Sequence, residues 1–295
     1  MHLDEVDVDE ALVHRLLRRQ LPALAGFALT PVEAWGTDHA IWRVGEELVV
    51  RLPRVHWADG QAALEARWLP VLAEHLPVRV PEVVAIGEPA LGYPFRWSVP
   101  RWFPGESAAI GALASPERFA LDLAEVLARL RDVPVRGAPA ARHRARPLHE
   151  YDRATRSAIA GASALIDAEA AVAVWEDALA AEPLDGPPGW VHGDLDANCL
   201  LVQGRLGGII DWGSACAGDP AVDVQVVWSP LFSAESRRQF VVALAVDDDT
   251  LRRSRGAALH QACAALPYYL RTHPAIVERS RRKLDALGVR VTGTT

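Results

Sequence analysis

Residues 190–213, WVHGDLDANCLLVQGRLGGIIDWG, carry two short acidic clusters separated by a glycine-punctuated hairpin pattern. Asp194 ends the strand-like WVHGD, and Asp211 ends the apolar run LGGIID. Burying carboxylates beside apolar runs is costly unless a cation or a reaction uses them. A hairpin with one carboxylate at each end can bring the two together around a divalent cation, and Asn198 can add an amide oxygen. Magnesium favours such a small set completed by phosphate oxygens and water, so the pattern suits phosphoryl transfer.

The composition of the whole chain narrows the alternatives. The chain has 295 residues and a formal net charge of −7, typical of one or two globular domains without the basic surplus of a nucleic-acid-binding protein. The cysteines Cys199, Cys216 and Cys263 have neither metal-site nor disulfide spacing. GxxxxGK[ST], GxSxG and HExxH are absent, which counts against P-loop enzymes, serine hydrolases and zincins. An acidic start and short apolar runs predict a cytoplasmic protein with no membrane span.

Hydrophobic periodicity predicts a change of structure along the chain. A helix over 8–24 precedes a three-stranded antiparallel meander over 27–53, a helix over 60–75, and strands over 81–87 and 95–103. Beyond residue 105 helices dominate, with a loop over 134–147, a helical region over 152–182 and a strand pair within 191–212. We therefore predict a sheet-rich lobe, residues 1–103, and a helical lobe, residues 104–295. A cleft between lobes is a common ligand site.

Four motifs in order carry a resemblance to a known family. HGDLDANCLL followed by IIDWG resembles the catalytic and metal-binding loops of aminoglycoside phosphotransferase-like kinases, relatives of the protein kinases. GDPAVD (218–223), ALPYYLRTHP (265–274) and RWSVPRWFPGE (96–106) extend the resemblance over about residues 34–285. It implies an α+β, bilobal fold with a small antiparallel-sheet N-lobe containing one main helix, a larger helical C-lobe, and a nucleotide in the cleft.

The resemblance also implies roles for individual residues. Asp194 would be the catalytic base, Asn198 and Asp211 the magnesium ligands, and His192 a residue that holds the catalytic loop. Arg51 would grip the nucleotide phosphates, with Glu65 as its ion-pair partner. The other nucleotide-binding residues would be the phosphate turn Gly36, Thr37, Asp38 and His39 and the hinge Pro100, Arg101, Trp102 and Phe103. Candidate acceptor-binding residues are Asp196, Tyr268, Tyr269 and Glu278.

Two positions depart from the family pattern. Arg51 stands where these kinases usually have lysine, and a planar guanidinium is not equivalent to an ammonium. The step from Asp194 to the next asparagine is four residues where the family usually has five, so counting forward from Asp194 places Cys199 at the metal position. Because magnesium prefers oxygen ligands, Asn198 is favoured over Cys199.

The predicted function is ATP-dependent, or GTP-dependent, phosphorylation of a hydroxyl on a small molecule, with Mg²⁺ as cofactor. The acceptor would be an aminoglycoside or related antibiotic, which implies antibiotic resistance. The alternatives are a macrolide or small-metabolite kinase on the same scaffold, and a catalytically inactive nucleotide-binding protein. The predicted partners are the nucleotide and the small acceptor alone, with the protein a monomer or homodimer.

Overall fold

The computed structural model describes residues 5–32 and 38–292, which form two compact units. One unit runs to Gly105 and includes Gly208–Gly213, and the other contains Glu106–Gly207 and Ser214 onward. The helices of the described residues are α1 (Glu10–Gln20), α2 (Gln61–Ala73), α3 (Pro116–Asp132), α4 (Asp152–Ala162), α5 (Ala168–Leu179), α6 (Ala221–Val224), α7 (Ala234–Ala243), α8 (Asp248–Tyr269) and α9 (Pro274–Ala286). The strands are β1 (Leu29–Pro31), β2 (His39–Val44), β3 (Leu48–Pro53), β4 (Val83–Gly87), β5 (Trp97–Pro100), β6 (Glu106–Ser107), β7 (Gly189–Val191), β8 (Cys199–Val202), β9 (Arg205–Ile209) and β10 (Cys216–Gly218).

The first unit is built on a five-stranded antiparallel sheet with the order β1-β2-β3-β5-β4. Helix α1 begins at a cap that the sequence predicts, because the Asp9 carboxylate accepts a hydrogen bond from Leu12 N at 2.7 Å. The apolar face of α1 and one face of the sheet share a core of fully buried side chains that includes Leu16, Leu17, Leu52 and Trp97. Burial of each of these side chains contributes roughly 1.5–3 kcal/mol.

The second unit is mainly helical and is organised around α8. Helices α4, α5, α6 and α9 all pack on α8, whose Leu259, Cys263 and Leu266 are completely buried. Helix α3 packs on α7 and on the short strand β7. Strand β7 pairs with β10, and β8 lies between β6 and β9. The predicted α+β class, with a small antiparallel sheet and a larger helical region, is confirmed.

Some predicted element boundaries are wrong. The helices predicted over 152–182 are α4 and α5, and α5 ends at Leu179, three residues before the predicted end. Asp167 caps α5 by accepting a hydrogen bond from Ala170 N at 3.0 Å. The predicted strand over 95–103 is regular only from Trp97 to Pro100. None of the described helices is long and apolar enough to cross a membrane.

Close packing around Trp97 makes Gly87 a sensitive position. A Cβ atom at Gly87 would lie 1.8 Å from Trp97 Cε2, whereas one at the exposed turn residue Gly26 would contact nothing within 4 Å. We expect Gly87→Ala to lower the free energy of unfolding by about 1–3 kcal/mol through overpacking. Urea denaturation followed by tryptophan fluorescence measures this, with Gly26→Ala as the matched control. Equal stabilities of the two variants would contradict the packing described.

Candidate active site

Three charged side chains of the first unit meet around Arg51, in the middle of β3. Arg51 Nη1 donates to both carboxylate oxygens of Glu65, on α2, at 2.9 and 2.8 Å. Arg51 Nη2 donates to Asp211 Oδ1 at 2.7 Å. The predicted Arg51–Glu65 ion pair is therefore present, and Arg51 also binds the carboxylate that the sequence assigns to magnesium. Whether Arg51 and Glu65 serve a nucleotide stays a prediction.

Burial sets the electrostatics of this cluster. The Glu65 side chain is only 1% exposed and that of Arg51 11%, whereas Asp211 is 33% exposed. Burial raises the pKa of Glu65, and the adjacent Arg51 cation opposes that shift. Glu65 Oε1 also accepts a hydrogen bond from Trp212 N at 3.0 Å. The buried carboxylate is thus supplied with donors from β3 and from the segment that follows Asp211.

The backbone at Asp211 is unusual. Asp211 lies two residues after β9 and has a φ of 62°, in the left-handed region that few non-glycine residues adopt. Such conformations cost about 1–3 kcal/mol and concentrate at functional sites. The contacts of Arg51 with Asp211 and of Glu65 with Trp212 hold this strained segment in place.

The predicted phosphate turn is only partly described. Gly36 and Thr37 lie outside the described residues. Asp38 Oδ2 accepts a hydrogen bond from Trp57 Nε1 at 2.8 Å. His39 begins β2, and its burial, together with the nearby Arg51 cation, lowers its pKa to about 3. His39 is therefore a neutral imidazole at neutral pH.

The predicted hinge follows the end of β5 at Pro100. The backbone N–H of Arg101 donates to Glu82 O at 2.9 Å, and that of Trp102 donates to Glu47 O at 2.6 Å. Phe103 is covered by the guanidinium of Arg79, 4.5 Å from the ring centroid. The role of residues 100–103 at the adenine edge stays a prediction. An adenine would have to meet backbone groups other than these two N–H donors.

The loop of the second unit that carries Asp194, the predicted catalytic base, is braced by a buried aspartate. Asp223, which is 3% exposed, accepts hydrogen bonds from His192 N at 2.7 Å and from Gly193 N at 2.8 Å. The His192 side chain is completely buried, and its Nδ1 accepts from Asp194 N at 3.1 Å. Gly193 has a φ of 84° that favours glycine. These contacts are those of a loop-holding histidine and leave the Asp194 side chain 42% exposed.

Arg144 contacts the predicted catalytic base directly. Its Nη1 donates to Asp194 Oδ1 and to Gly193 O, each at 3.0 Å. Sequence reasoning misses Arg144, which lies in the arginine-rich segment over 134–147, where the sequence predicts only a loop. The run RHRAR was the one available signal, and its position in the sequence does not reveal a contact with Asp194.

The donor chemistry around residue 198 fits a magnesium ion. Asn198 Nδ2 donates to Asp194 O at 2.6 Å, which leaves the amide oxygen as the atom that can bind a cation. Cys199, the competing position, begins β8, is completely buried, and has its pKa raised by burial to about 12. A buried neutral thiol is not a magnesium ligand. The structure describes no cluster of three or more His, Cys, Asp or Glu side chains that could hold a metal.

The predicted acceptor-binding acids are both paired with arginines. Asp196, which is 8% exposed, forms an ion pair with Arg279 of α9. Glu278 pairs with Arg282 at 2.8 Å, one turn along the same helix, and its side chain is 53% exposed. The predicted acidic, cation-attracting surface is therefore neutralised at both positions.

The predicted tyrosine wall lies at the end of α8. The rings of Tyr268 and Tyr269 meet edge to face with centroids 4.8 Å apart, and the Tyr268 residue is 53% exposed. A substrate-binding role for the pair stays a prediction.

The Arg51–Glu65 pair provides a test of the cluster in the first unit. Arg51→Met would leave the Glu65 carboxylate buried without its cation, and we expect it to cost about 3–5 kcal/mol of folding free energy. Adding Glu65→Gln to Arg51→Met removes the unpaired charge and keeps an acceptor for Trp212 N, so the double variant should regain most of that loss. Urea denaturation of both variants measures the difference.

Arg96→Met is the matched control for that experiment. Arg96 pairs with Glu88, but the two side chains are 51% and 62% exposed, so solvent screens their interaction. We expect little change in stability. Arg51→Met and Arg96→Met with the same stability would show that the buried pair has no special weight.

Comparisons with known proteins identify the family of the chain. The model of the family APH, the phosphotransferase enzyme family, matches residues 29–259. A comparison with curated proteins finds no match. Among solved structures, the GDP and kanamycin complex of APH(2")-IIia has 20% identity and a TM-score of 0.69, with 94% of this chain and 98% of that chain covered. Macrolide 2'-phosphotransferase type I has 20% identity and a TM-score of 0.64, with 95% and 98% covered.

A further similar structure is the apoenzyme of macrolide 2'-phosphotransferase MphH from Brachybacterium faecium. It has 23% identity and a TM-score of 0.59, with 93% of this chain and 97% of that chain covered. At these identities the structural likeness shows the fold, whereas the family match covers most of the chain. The chain therefore belongs to the phosphotransferase enzyme family and is a small-molecule kinase.

Proposed function

We propose that the protein transfers the γ-phosphate of ATP or GTP to a hydroxyl of a small molecule, with Asp194 as the catalytic base. The observation that carries this proposal is the braced loop around Asp194. Asp223 and His192 fix its backbone, while the Asp194 carboxylate stays 42% exposed. An aspartate that is both fixed and accessible can orient a hydroxyl for attack.

The reaction would proceed by in-line displacement at phosphorus. The acceptor oxygen forms a bond to the γ-phosphorus, and the bond from that phosphorus to the β,γ-bridging oxygen breaks. Asp194 accepts the hydroxyl proton, and a nucleoside diphosphate leaves with the bridging oxygen. Arg144, on Asp194 Oδ1, would keep the carboxylate oriented until the acceptor arrives.

We propose either ATP or GTP as the phosphate donor because structurally similar proteins bind adenine or guanine nucleotides. The complex of APH(2")-IIia contains GDP, and that of APH(2")-IIa contains ATP with streptomycin. Arg51 would contact the phosphates of the nucleotide. Because its guanidinium already joins Glu65 and Asp211, it would position the phosphates relative to Asp211 as well as binding them.

Asp211 and Asn198 would hold magnesium on the nucleotide phosphates. A carboxylate and an amide oxygen are hard donors of the type that magnesium binds alongside phosphate and water. When bound, the ion would neutralise the charge of the phosphate oxygens. Arg51 now pairs with Asp211 Oδ1, so the protein's own cation would hold this carboxylate in position before the metal arrives.

The acceptor follows from the resemblance as an aminoglycoside or related antibiotic, and the structurally similar proteins include aminoglycoside and macrolide phosphotransferases. The second candidate is a macrolide or small metabolite, and one observation favours an acceptor without an amino group, that is, a small metabolite. The acids assigned to a cationic acceptor, Asp196 and Glu278, are both paired with arginines. A catalytically inactive nucleotide-binding protein is separated from an enzyme by the two measurements that follow.

Replacement of Asp194 tests the proposed base. We expect Asp194→Asn to lower the rate of phosphoryl transfer by about 10²–10⁴-fold, because the variant cannot accept the hydroxyl proton. Nucleotide affinity and thermal stability should change little. Mass-spectrometric detection of phosphorylated products from a panel of antibiotics and small alcohols, with ATP or GTP, measures turnover. Asp185→Asn, at an exposed position, is the matched control; similar rates for both variants would refute the assignment of Asp194.

The magnesium assignment has its own test. We expect turnover to stop when magnesium is chelated, and Asp211→Asn or Asn198→Ala to raise the magnesium concentration needed for half-maximal rate by at least about tenfold. Cys199→Ala should leave that concentration unchanged, because the thiol is buried in β8. If Cys199→Ala changed the magnesium concentration needed for half-maximal rate and Asn198→Ala did not, the ligand would be residue 199 and not residue 198.

A further inference from the structure

Helix α9 presents a basic face to the catalytic loop. Arg279 and Lys283 are four residues apart, so they lie on the same side of the helix. Arg279 forms an ion pair with Asp196, and the two side chains are 19% and 11% exposed. Lys283 Nζ donates to Gln261 Oε1 on α8 at 3.2 Å. Two cations of α9 therefore lie on the side of the helix that meets this loop.

A third cation, Arg144, also binds the loop. Arg144 binds Asp194 Oδ1 at 3.0 Å, so each of the two loop acids has an arginine partner. Arginine stays protonated in proteins, and these two charges are permanent. Burial lowers the pKa of Lys283 while the neighbouring Asp196 opposes that shift, so the arginines supply the charge that does not depend on pH.

Glu278, an acidic residue of α9 that could offset this positive charge, lies on a different face of the helix. Glu278 precedes Arg279 by one residue, and successive residues of a helix project about 100° apart. Glu278 pairs with Arg282, and their side chains are 53% and 62% exposed. The helix phase therefore places the arginine, and not the glutamate, against the catalytic loop.

One carboxylate oxygen of Asp196 lacks a hydrogen-bond donor among the described residues. The residue is 8% exposed, and its Oδ1 atom is buried without a hydrogen-bond partner among the described residues. A buried acceptor without a donor costs about 1–3 kcal/mol. A hydroxyl of the acceptor molecule can supply that donor, and it adds no charge to a group whose charge Arg279 already balances.

We propose, on the basis of the proposed function, that the acceptor is a neutral or anionic polyhydroxylated molecule, and that Arg279 is a specificity residue that excludes ammonium groups. An ammonium group near Asp196 would meet the Arg279 charge at short range in a partly buried setting, where repulsion is strong. A hydroxyl or a carboxylate on the acceptor meets no such repulsion from Arg144, Arg279 and Lys283.

A matched panel of acceptors tests the inference. Glucuronate, glucose and glucosamine share one scaffold and differ in charge, and kanamycin adds a polycation. For each compound, kcat/KM for phosphoryl transfer and its inhibition of slow nucleotide hydrolysis are measured, so a charge preference is recorded even for a compound that is not phosphorylated. We expect wild-type protein to favour glucuronate and glucose over glucosamine and kanamycin.

Variants of the ion pair give the sharper result. Arg279→Gln leaves Asp196 without its cation, so the ratio of kcat/KM, or of inhibition, for glucosamine over glucuronate should rise by at least about tenfold. Adding Asp196→Asn removes the unpaired charge and should return the ratio towards the wild-type value. This double variant also has no unpaired buried charge, so it keeps the test usable where Arg279→Gln alone fails to fold. Arg282→Gln, on the exposed side of α9, is the control and should leave the ratio unchanged.

The outcomes separate this inference from the function on which it rests. A wild-type preference for glucosamine or kanamycin, the same behaviour of all three sugars, or the same ratio for Arg279→Gln and Arg282→Gln would overturn the inference while the phosphotransferase function stands. The proposed function itself would be overturned if no compound of the panel and no antibiotic gave nucleotide turnover that is lost in Asp194→Asn. The inference would fall with it.

Discussion

Glu65 is almost completely buried, and the way its charge is satisfied organises the first unit. Its two oxygens accept hydrogen bonds from Arg51 and from Trp212 N. A buried carboxylate that lost these donors would carry the full cost of desolvation, so β3, α2 and the segment after β9 cannot shift independently. The left-handed backbone at Asp211 is tolerable for the same reason, because its neighbour Trp212 is fixed to Glu65. The same guanidinium that satisfies Glu65 also holds the carboxylate assigned to magnesium.

The second unit also contains a buried carboxylate, Asp223, whose hydrogen-bond donors are of a different kind. Asp223 is as deeply buried as Glu65, but it has backbone N–H groups of His192 and Gly193 where Glu65 has a guanidinium. Backbone donors fix the path of the chain and leave the side chain of the next residue, Asp194, directed to solvent. The backbone around Asp194 is thus held in place by Asp223, a carboxylate that takes no part in the proposed chemistry. The motif GDPAVD matters through its last aspartate, 29 positions after Asp194.

Short sequence motifs predict the fold class and several contacts of the candidate site. Contacts that depend on the direction of a side chain could not be predicted. The fold class, the Arg51–Glu65 pair and the bracing role of His192 follow from motifs whose residues lie on regular elements or adjacent loop positions. Arg144 could not be found, because an arginine in an irregular segment has no periodicity to reveal its partner. Glu278 pairs with Arg282 on an exposed part of α9, and its role at the acceptor stays a prediction. Gly36 and Thr37 lie outside the described residues and stay predictions.

The contacts of the catalytic loop also show why net charge is a poor guide to an acceptor. A total of −7 is compatible with an acidic pocket for a cationic antibiotic, and the sequence places aspartates at 194 and 196. Electrostatic interaction falls with distance and with solvent screening, so an acceptor responds to the few charges within several ångströms of its reacting hydroxyl. Here Arg144 and Arg279 neutralise both aspartates at contact distance. The surplus of acids elsewhere on the chain is screened by solvent, so we expect the local balance of cations and carboxylates, and not the total charge, to select the acceptor.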